Sequence, residues 1–399
     1  MKKKAVLAYS GGLDTSFIVK YLSAEKDMNV YTVIVNTGGF SDAELAEIEK
    51  KAYEIGAFKH KTVNITDVYY AKCVKYLIFG NILKNNSYPL SVSSERTFQA
   101  IETAKYAKEI NADSIVHGST AAGNDQIRFD TTFAIFVPEI EIISPVREMQ
   151  LSREQEINYL KSKGVELDWK KNEYSINKGL WGTSVGGKET LTSQNPLPDH
   201  AYPSRMSETE DKRISLTFEK GEIKAINEQK FENPSQAIIE LEKIASPFAC
   251  GRGIHVGDTI LGIKGRVGFE AAAALIIIEA HRTLEKHVLS AHQIYQKDMS
   301  SMLYGKLLHE AQFLDPVMRD IEAYLESSQR NVSGKVFVKL SPYSFDIEGI
   351  ESEHDLMDSS VAQYGETNKL WNYKDVLGFT KIFSIQQVLY NRINKDILK

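Results

Sequence analysis

The residues best suited to chemistry stand near the start of the chain, in the stretch AYSGGLDTS at positions 8–16, directly after a short apolar run. Glycines let a backbone approach a ligand closely and adopt positive φ. A helix beginning near Thr15 would point unpaired N–H groups and the positive end of its dipole at an anion. The hydroxyls of Ser10, Thr15 and Ser16 would add donors. The stretch therefore predicts a phosphate-binding loop; the alternative is a plain glycine turn with Asp14 as a helix cap.

This loop lacks the lysine of a Walker motif. In the pattern GxxxxGK[ST], a lysine reaches the β- and γ-phosphates of the nucleotide, and no such lysine follows Gly12. We therefore expect a site that holds pyrophosphate as a leaving group while chemistry takes place at the α-phosphate.

A second group of chemically suggestive residues is His281 with Glu279 and Glu285 nearby. Their spacing does not fit the HExxH pattern of a zinc site. We predict a solvent-exposed helix face here and no metal.

The first 164 residues alternate between strand-like and helix-like segments. We predict strands at 5–9, 30–35, 61–64, 114–117 and 141–144. We predict helices at 15–25, 42–55, 68–83, 95–110 and 153–163, the last with a capping box formed by Ser152 and Gln155. Repeated β–α units favour a parallel sheet with helices on both faces, which binds ligands beyond the carboxyl ends of its strands.

Beyond residue 164 the pattern changes, and we predict a second, α+β domain over 165–365 and a helical arm over 366–399. Alternating apolar residues predict hairpins near 214–222 and 335–347, and 271–310 is expected to be helical with one or two breaks. Residues 182–205 are rich in Gly, Ser and Thr and contain several prolines, which predicts a long loop and a candidate lid. The apolar periodicity of 373–398 predicts a terminal helix that packs on another subunit or on its own domain, and we favour oligomerisation.

Composition argues against several classes of protein. The chain has 399 residues, 42% of them hydrophobic and 25% charged, and its net charge of −5 does not favour a nucleic-acid binder. The longest apolar run, 271–278, is far shorter than the roughly 20 residues that span a bilayer. The apolar stretch after the first lysines is interrupted by Ser10, so we do not expect export. Two distant cysteines, Cys73 and Cys250, give neither a disulfide framework nor a CxxC site, and we expect a cytoplasmic protein.

The phosphate-loop stretch resembles the PP-loop of the N-type ATP pyrophosphatases, in the form carried by argininosuccinate synthases. Residues 117–129, HGSTAAGNDQIRF, are similar to the HGxTxKGNDQxRF segment of that family. Tyr174-Ser175, followed by LWGTS at 180–184, resembles the family's YSxDxNLWGxS segment. The three motifs match in order and separation. The resemblance implies an α/β fold for residues 1–164, with a doubly wound parallel sheet like that of the adenine nucleotide alpha hydrolases.

Argininosuccinate synthases condense citrulline with L-aspartate in arginine biosynthesis, cleaving ATP to AMP and pyrophosphate through a citrullyl-adenylate. The resemblance therefore implies ATP as co-substrate with Mg²⁺ on its phosphates, citrulline and aspartate as substrates, and a homotetramer. The ATP-binding residues that it implies are Ala8, Tyr9, Ser10, Gly11, Gly12, Leu13, Asp14, Thr15, Ser16, Val35 and Gly118.

The same resemblance implies the substrate contacts. They are Thr120, Asn124 and Asp125 for aspartate, and Tyr88, Ser93, Asn124, Arg128, Ser175 and Ser184 for citrulline. Asn124 and Arg128, together with Asp14, are expected to take part in catalysis. A planar guanidinium suits a carboxylate, and Asp125 would receive an ammonium. Considered without the resemblance, Asn124 and Asp125 would be a loop turn and Arg128 a solvated helix charge.

Several positions depart from the family pattern. The glutamine of the adenine-binding turn is Gly39 here. The family also places a glutamate and, about twelve residues later, a tyrosine near the α-amino group of citrulline; anchored on 262–266, these positions are Gly257 and Phe269. Since a neutral amide needs no carboxylate partner, we expect an acceptor with a blocked α-amino group, such as N-acetyl- or N-succinylcitrulline. The alternative is that free citrulline binds through shifted contacts, with Asp258 as a substitute.

Rival functions fit the sequence less well. Sulfur transfer to tRNA needs thiol chemistry and a basic surface, and neither Cys73 nor Cys250 has a suitable setting. A glutamine amidotransferase needs a nucleophilic cysteine, and none stands near the N-terminus or in a GxCxG motif. Another PP-loop ligase is a further alternative. A non-catalytic adenine-nucleotide sensor on the same fold would bind ATP without aspartate-dependent pyrophosphate release and would not need the serines of the second domain.

Overall fold

The computed structural model describes residues 2–165, 174–366 and 369–394. It divides into two compact units, Met1–Ser352 and Glu353–Lys399. Residues 166–173, at the start of the predicted second domain, lie outside the described residues. So do residues 367–368 and 395–399 of the predicted arm. The placement of the domain boundary at 164 stays a prediction.

The N-terminal part contains the predicted parallel sheet. Its five strands, in the order β3-β2-β1-β4-β5, are β1 (Lys4–Ala8), β2 (Asn29–Asn36), β3 (Lys59–Asn64), β4 (Ser114–Val116) and β5 (Glu141–Ile143). All four pairings are parallel. Alternate residues of β1 belong to cores on opposite faces, Ala5 and Leu7 on one and Val6 on the other. The doubly wound α/β fold is confirmed.

Helices cover both faces of this sheet. They are α1 (Leu13–Ala24), α2 (Asp42–Ile55), α3 (Thr66–Tyr69), α4 (Lys75–Phe79), α5 (Ser91–Glu109), α6 (Asp125–Phe136), α7 (Pro145–Met149) and α8 (Arg153–Ser162). A π-helical turn, Tyr70–Val74, joins α3 to α4. The predicted capping box of Ser152 and Gln155 begins α8. The sequence analysis did not predict α6 and α7, which follow β4 and β5.

An antiparallel five-stranded sheet confirms both predicted hairpins. In the order β10-β9-β8-β13-β14, its strands are β8 (Lys212–Glu219), β9 (Glu222–Ile226), β10 (Gln229–Lys230), β13 (Gly334–Ser341) and β14 (Ser344–Glu351). The turn between β8 and β9 has φ of 48° at Lys220 and 81° at Gly221. Positive φ at both central residues matches the twist of the flanking strands.

A four-stranded antiparallel sheet was only partly expected. In the order β11-β12-β7-β6, its strands are β6 (Ser175–Gly179), β7 (Gly182–Gly186), β11 (Arg252–Asp258) and β12 (Lys264–Glu270). The prediction of a loop from 182 is wrong for β7, because pairing with β12 and β6 holds a stretch that lacks apolar alternation. The following chain is irregular with short 3₁₀ turns, yet Leu197 and Tyr202 are buried.

The remaining helices include the long pair predicted at 271–310, which breaks once. They are α9 (Pro234–Ala245), α10 (Ala272–Val288), α11 (Ala291–His309), α12 (Val317–Ser328), α13 (Tyr373–Phe383) and α14 (Ile385–Asn394). The predicted terminal helix is thus two helices that meet at Ser384. In the described part of the chain, no helix is long and apolar enough to cross a membrane.

The predicted solvent-exposed face around His281 is wrong. His281 is fully buried and Glu285 is 2% exposed, and only Glu279 reaches solvent, where it pairs with Arg282. The sequence pattern of one helix cannot show that polar side chains from other elements cover this face.

A buried polar network occupies that face. Lys297 Nζ lies 2.9 Å from Glu285 Oε2, and the Glu285 carboxylate also accepts hydrogen bonds from Asn81 and Gln329. The same two amides contact the two ring nitrogens of His281, at 2.7 and 2.8 Å. The network joins the turn after α4 to α10, α11 and the residue following α12, so it ties the N-terminal part to the rest of the unit.

We predict that Lys297→Met lowers the free energy of unfolding by about 3–5 kcal/mol, because the variant leaves the Glu285 carboxylate buried without its cation. Chemical denaturation measures this loss. Lys230→Met, at an exposed lysine on β10, is the matched control and should change the value by less than about 0.5 kcal/mol. If the Lys297 variant were as stable as this control, Lys297 would not be the cation that stabilises the buried Glu285 carboxylate.

Candidate active site

The loops after β1 and β4 lie side by side at the carboxyl edge of the parallel sheet. Leu7 pairs with Val116, so the chain leaves both strands at the same edge. A Cβ on Gly118 would lie 2.9 Å from Thr15 Cγ2, which leaves room for glycine only. The structure thus brings the predicted phosphate loop and the 117–129 segment together at the point where the strand order reverses.

The phosphate loop has the backbone that its glycines predict. Gly11 has φ of 73°, and Gly12 precedes α1 without any side-chain cap. Asp14 is therefore not the cap of this helix. The hydroxyl of Ser10 lies 3.3 Å from that of Thr15 and accepts a hydrogen bond from the Gly12 N–H. The N–H groups of the first turn remain suited to an anion.

A lysine missed by the sequence analysis reaches this loop from α2. Lys51 Nζ donates to the Gly11 carbonyl at 2.6 Å. Burial lowers the pKa of Lys51, and nearby Glu47 opposes this shift. A cation thus stands at the loop although the Walker position is vacant, and no local motif could have indicated a residue 40 positions away.

A second missed residue is Glu156 on α8. Its side chain is 2% exposed, and Oε2 has no hydrogen-bond partner among the described residues. Burial, reinforced by the adjacent Asp14 carboxylate, raises the pKa of Glu156 to about 8. The loop therefore has two adjacent carboxyl groups at the start of α1, one of them mostly protonated at neutral pH.

Asp125, at the start of α6, lies between two guanidinium groups. Arg96 Nε and Arg128 Nη1 donate to its two oxygens at 3.0 and 2.7 Å. Burial opposes ionisation, but the two arginines outweigh it and hold the pKa of Asp125 below its usual value. Asp125 is thus a carboxylate whose charge the protein already balances.

Arg96 joins three elements at this carboxylate. Besides Asp125, its guanidinium donates to Asn177 on β6 at 2.9 Å and to Gln99 at 2.9 Å. The sequence analysis gave Arg96 no role. The available signal was its place shortly after Ser93, in the segment that supplies Tyr88.

The other predicted residues of this segment are also engaged by the C-terminal part of the unit. Asn124 Oδ1 accepts from the backbone N–H of Ile260 at 2.9 Å. Arg128 is 4% exposed, and its guanidinium donates to the carbonyl of His309 at 3.0 Å. The turn between β11 and β12 and the end of α11 therefore close around the start of α6.

The remaining predicted substrate residues differ in exposure. Tyr88 and Ser93 are each 4% exposed, and Ser93 Oγ donates to the Leu90 carbonyl at 3.2 Å. Ser184 is buried on β7, whereas Thr120 and Ser175 are exposed. Tyr88, Ser93 and Ser184 are thus buried, whereas Thr120 and Ser175 lie at the surface.

The departures at Gly39, Gly257 and Phe269 have steric counterparts. A Cβ on Gly39 would overlap the Lys178 carbonyl, so no glutamine fits there. A Cβ on Gly257 would lie 2.6 Å from His255 Nε2. Phe269 is 2% exposed and packs on Tyr88 with ring centroids 5.5 Å apart. In this chain, a side chain at position 39 or 257 would therefore collide with its present neighbours.

Comparison with known proteins agrees with this geometry. Two family models match, described as the arginosuccinate synthase N-terminal HUP domain, over residues 4–166, and the arginosuccinate synthase C-terminal domain, over 174–390. The chain is 34% identical to the argininosuccinate synthase of Methanocaldococcus jannaschii, over 99% of this chain and 100% of the relative. It is 36% identical to that of Dictyoglomus thermophilum, over 98% of each chain. The chain belongs to the argininosuccinate synthase family.

Proposed function

We propose that this enzyme condenses an N-acylated citrulline with L-aspartate through an adenylated intermediate, releasing AMP and pyrophosphate. The observation that best supports this proposal is the juxtaposition of the phosphate loop with the Gly118–Arg128 segment. Gly118 approaches Thr15 so closely that a nucleotide held by one loop would present its α-phosphate to an acceptor held by the other.

The first step joins the acceptor to AMP. The ureido oxygen of the acceptor attacks the α-phosphorus, and the bond from that phosphorus to the bridging oxygen of pyrophosphate breaks. Residues 8–16 would hold the departing pyrophosphate through the N–H groups of α1 and the hydroxyls of Ser10 and Thr15. Val35 would contact the adenine through its backbone.

The second step forms the new carbon–nitrogen bond. The neutral amine of aspartate adds to the ureido carbon, loses a proton and expels AMP, which retains the former ureido oxygen. Thr120, Asn124 and Asp125 would orient the aspartate, and Asn124 and Arg128 would also face the acceptor. The ion pairs with Arg96 and Arg128 would keep Asp125 ionised and fix the position of its carboxylate.

The residues around Asp14 fit a divalent cation. The described residues contain no group of three or more His, Cys, Asp or Glu side chains that could hold a metal alone. Mg²⁺ needs only one or two carboxylates in addition to nucleotide oxygens and water, and Asp14, in the first turn of α1, would supply one. Bound there, Mg²⁺ would neutralise charge on the phosphates.

The blocked α-amino group is supported by what surrounds Gly257 and Phe269. Neither position provides an acid for an ammonium group, and His255 fills the space beside Gly257. Asp258 is no substitute, because it is exposed and pairs with Lys264 at 2.6 Å. A buried ammonium without a partner would be costly, whereas an amide is neutral.

We further propose that α13 and α14 pack against a second copy of the chain in a homotetramer. None of their residues is buried, and the exposed side chains include Leu377, Phe379, Ile382 and Leu389. A group of neighbouring exposed apolar side chains on two amphipathic helices is typical of an interface between subunits. We place the enzyme in the cytoplasm, where its two buried thiols, Cys73 and Cys250, would stay reduced.

With ATP and aspartate present, we predict that kcat/KM for N-acetylcitrulline exceeds that for free citrulline by at least about tenfold, since the free ammonium lacks an acidic partner. Pyrophosphate release measures the rate, and AMP should form in equal amount. Omission of aspartate is the control and should abolish continuing turnover. A higher kcat/KM for free citrulline would disprove the blocked acceptor, and ADP with orthophosphate would disprove the reaction.

We predict that the wild-type chain of 44.9 kDa sediments as a tetramer and that the double variant Leu377→Asp/Leu389→Asp shifts to a smaller species. Two buried carboxylates would be incompatible with an apolar interface. Lys374→Asp, at an exposed polar position of α13, is the control and should leave the tetramer intact. A monomeric wild type, or a double variant that remains tetrameric, would refute this role for the helices.

A further inference from the structure

The peptide unit between Gly11 and Gly12 in the phosphate loop has glycine on both sides. Its rotation changes ψ of Gly11 and φ of Gly12, and neither residue has a side chain that restricts these angles. In the structure φ is 73° at Gly11 and −74° at Gly12. Turning the unit over would give Gly12 a positive φ, which glycine adopts readily. The loop sequence therefore permits two opposite orientations of this peptide unit.

The two orientations would act on an anion in opposite ways. A peptide unit is planar and trans, so its carbonyl and its N–H point in opposite directions. In the structure the Gly12 N–H donates to Ser10 Oγ at 3.3 Å, and that oxygen lies 3.3 Å from Thr15 Oγ1. The N–H thus faces the two hydroxyls proposed to hold pyrophosphate. In the opposite orientation the Gly11 carbonyl oxygen would face them, and its partial negative charge would repel an anion.

Lys51 holds the carbonyl on the other side of this peptide unit. Its Nζ donates to the Gly11 carbonyl oxygen at 2.6 Å. Hydrogen bonds from a charged donor are shorter and stronger than those between neutral groups. Because the bond would be lost if the peptide unit turned over, Lys51 favours the orientation in which the Gly12 N–H faces the hydroxyls.

Helix α2 brings Lys51 to this position. Its residues Ala52 and Ile55 are fully buried, so the helix is fixed in the core. Ile48, one turn before Lys51 on the same face, packs on the loop, because a Cβ on Gly11 would lie 3.1 Å from Ile48 Cγ1. The acid whose charge acts on Lys51 is Glu47, on the same helix. The contact with the loop is therefore part of the packing of α2.

The cation has a second effect on the same peptide unit. Hydrogen bonds that meet at one group polarise one another, so a charged donor on the Gly11 carbonyl strengthens the Gly12 N–H as a donor. A donor that is already aimed at the anion needs no reorganisation when charge develops there. Both effects increase in value as pyrophosphate leaves and its charge grows.

We infer that Lys51 is a positioning residue for ATP cleavage, which holds the Gly11–Gly12 peptide unit with its N–H towards the departing pyrophosphate. The inference rests on the proposed function for the role of the phosphate loop, but not for the identity of the acceptor. Lys51 acts through the peptide unit and contacts no reacting atom. It therefore differs from the lysine of a Walker motif, which reaches the phosphates directly.

The test measures pyrophosphate release with ATP, aspartate and whichever of free citrulline and N-acetylcitrulline reacts faster. In Lys51→Met, kcat should fall by about 10- to 100-fold while KM for ATP changes less than about threefold, because the aimed donor matters most in the transition state. Lys51→Arg keeps a cationic donor and should recover most of the lost kcat. Lys50→Met, at the adjacent exposed lysine that pairs with Glu54, is the matched control and should keep the wild-type values.

A binding measurement complements the kinetics. Calorimetry with inorganic pyrophosphate and Mg²⁺ should give a Kd about tenfold higher for Lys51→Met than for the wild type and the Lys50→Met control. This readout needs neither an acceptor nor turnover. It therefore tests the role of Lys51 separately from the proposed reaction.

The outcomes separate this inference from the proposed function. An unchanged kcat in Lys51→Met, or a change confined to KM for ATP, would overturn the inference. Loss of folding in Lys51→Met, or no recovery in Lys51→Arg, would mean that Lys51 serves packing alone, which also overturns it. Preference for free citrulline would remove only the blocked acceptor. If neither acceptor turned over, the proposed reaction would fail, and an unchanged pyrophosphate Kd in Lys51→Met would overturn the inference as well.

Discussion

The parallel pairing of β1 with β4 is the constraint on which the rest of the site depends. Neighbouring strands lie about 4.8 Å apart, so the loops that leave them at one edge must be adjacent. The first loop presents backbone N–H groups and hydroxyls, and the second presents Gly118 and then the start of α6. A Cβ at Gly118 would lie 2.9 Å from the Thr15 side chain, so the glycine lets the two loops pack closely. This proximity is what would place a phosphorus and an attacking oxygen within reach of each other.

The charged residues around Asp125 are held by elements from both parts of the first compact unit. Arg128 is held by the His309 carbonyl, and Arg96 by Asn177 on β6, so both arginines need elements from beyond residue 164. Asn124 likewise depends on the backbone of Ile260. The hydrophobic core is continuous across the same boundary. The two parts of the first compact unit therefore fold around a shared polar centre.

The sequence was informative wherever a local pattern determines the structure. The five strands of the parallel sheet, the capping box at Ser152 and the positive φ of Gly11 all follow from short-range rules of periodicity, capping and glycine conformation. The distant residues that contact these elements do not follow from such local rules. Lys51 reaches Gly11 from another helix, and His281 is buried because Asn81 and Gln329 come from distant segments. Strand β7 has no apolar alternation and exists because β12 and β6 pair with it.

The central claim is that the acceptor's ureido oxygen attacks the α-phosphate while the loop at 8–16 holds pyrophosphate. Oxygen-18 placed in the ureido group of N-acetylcitrulline follows this atom directly. After turnover with ATP and aspartate, mass spectrometry of the nucleotide should find one labelled oxygen in AMP and none in pyrophosphate. Unlabelled AMP, or label in pyrophosphate or orthophosphate, would contradict the account.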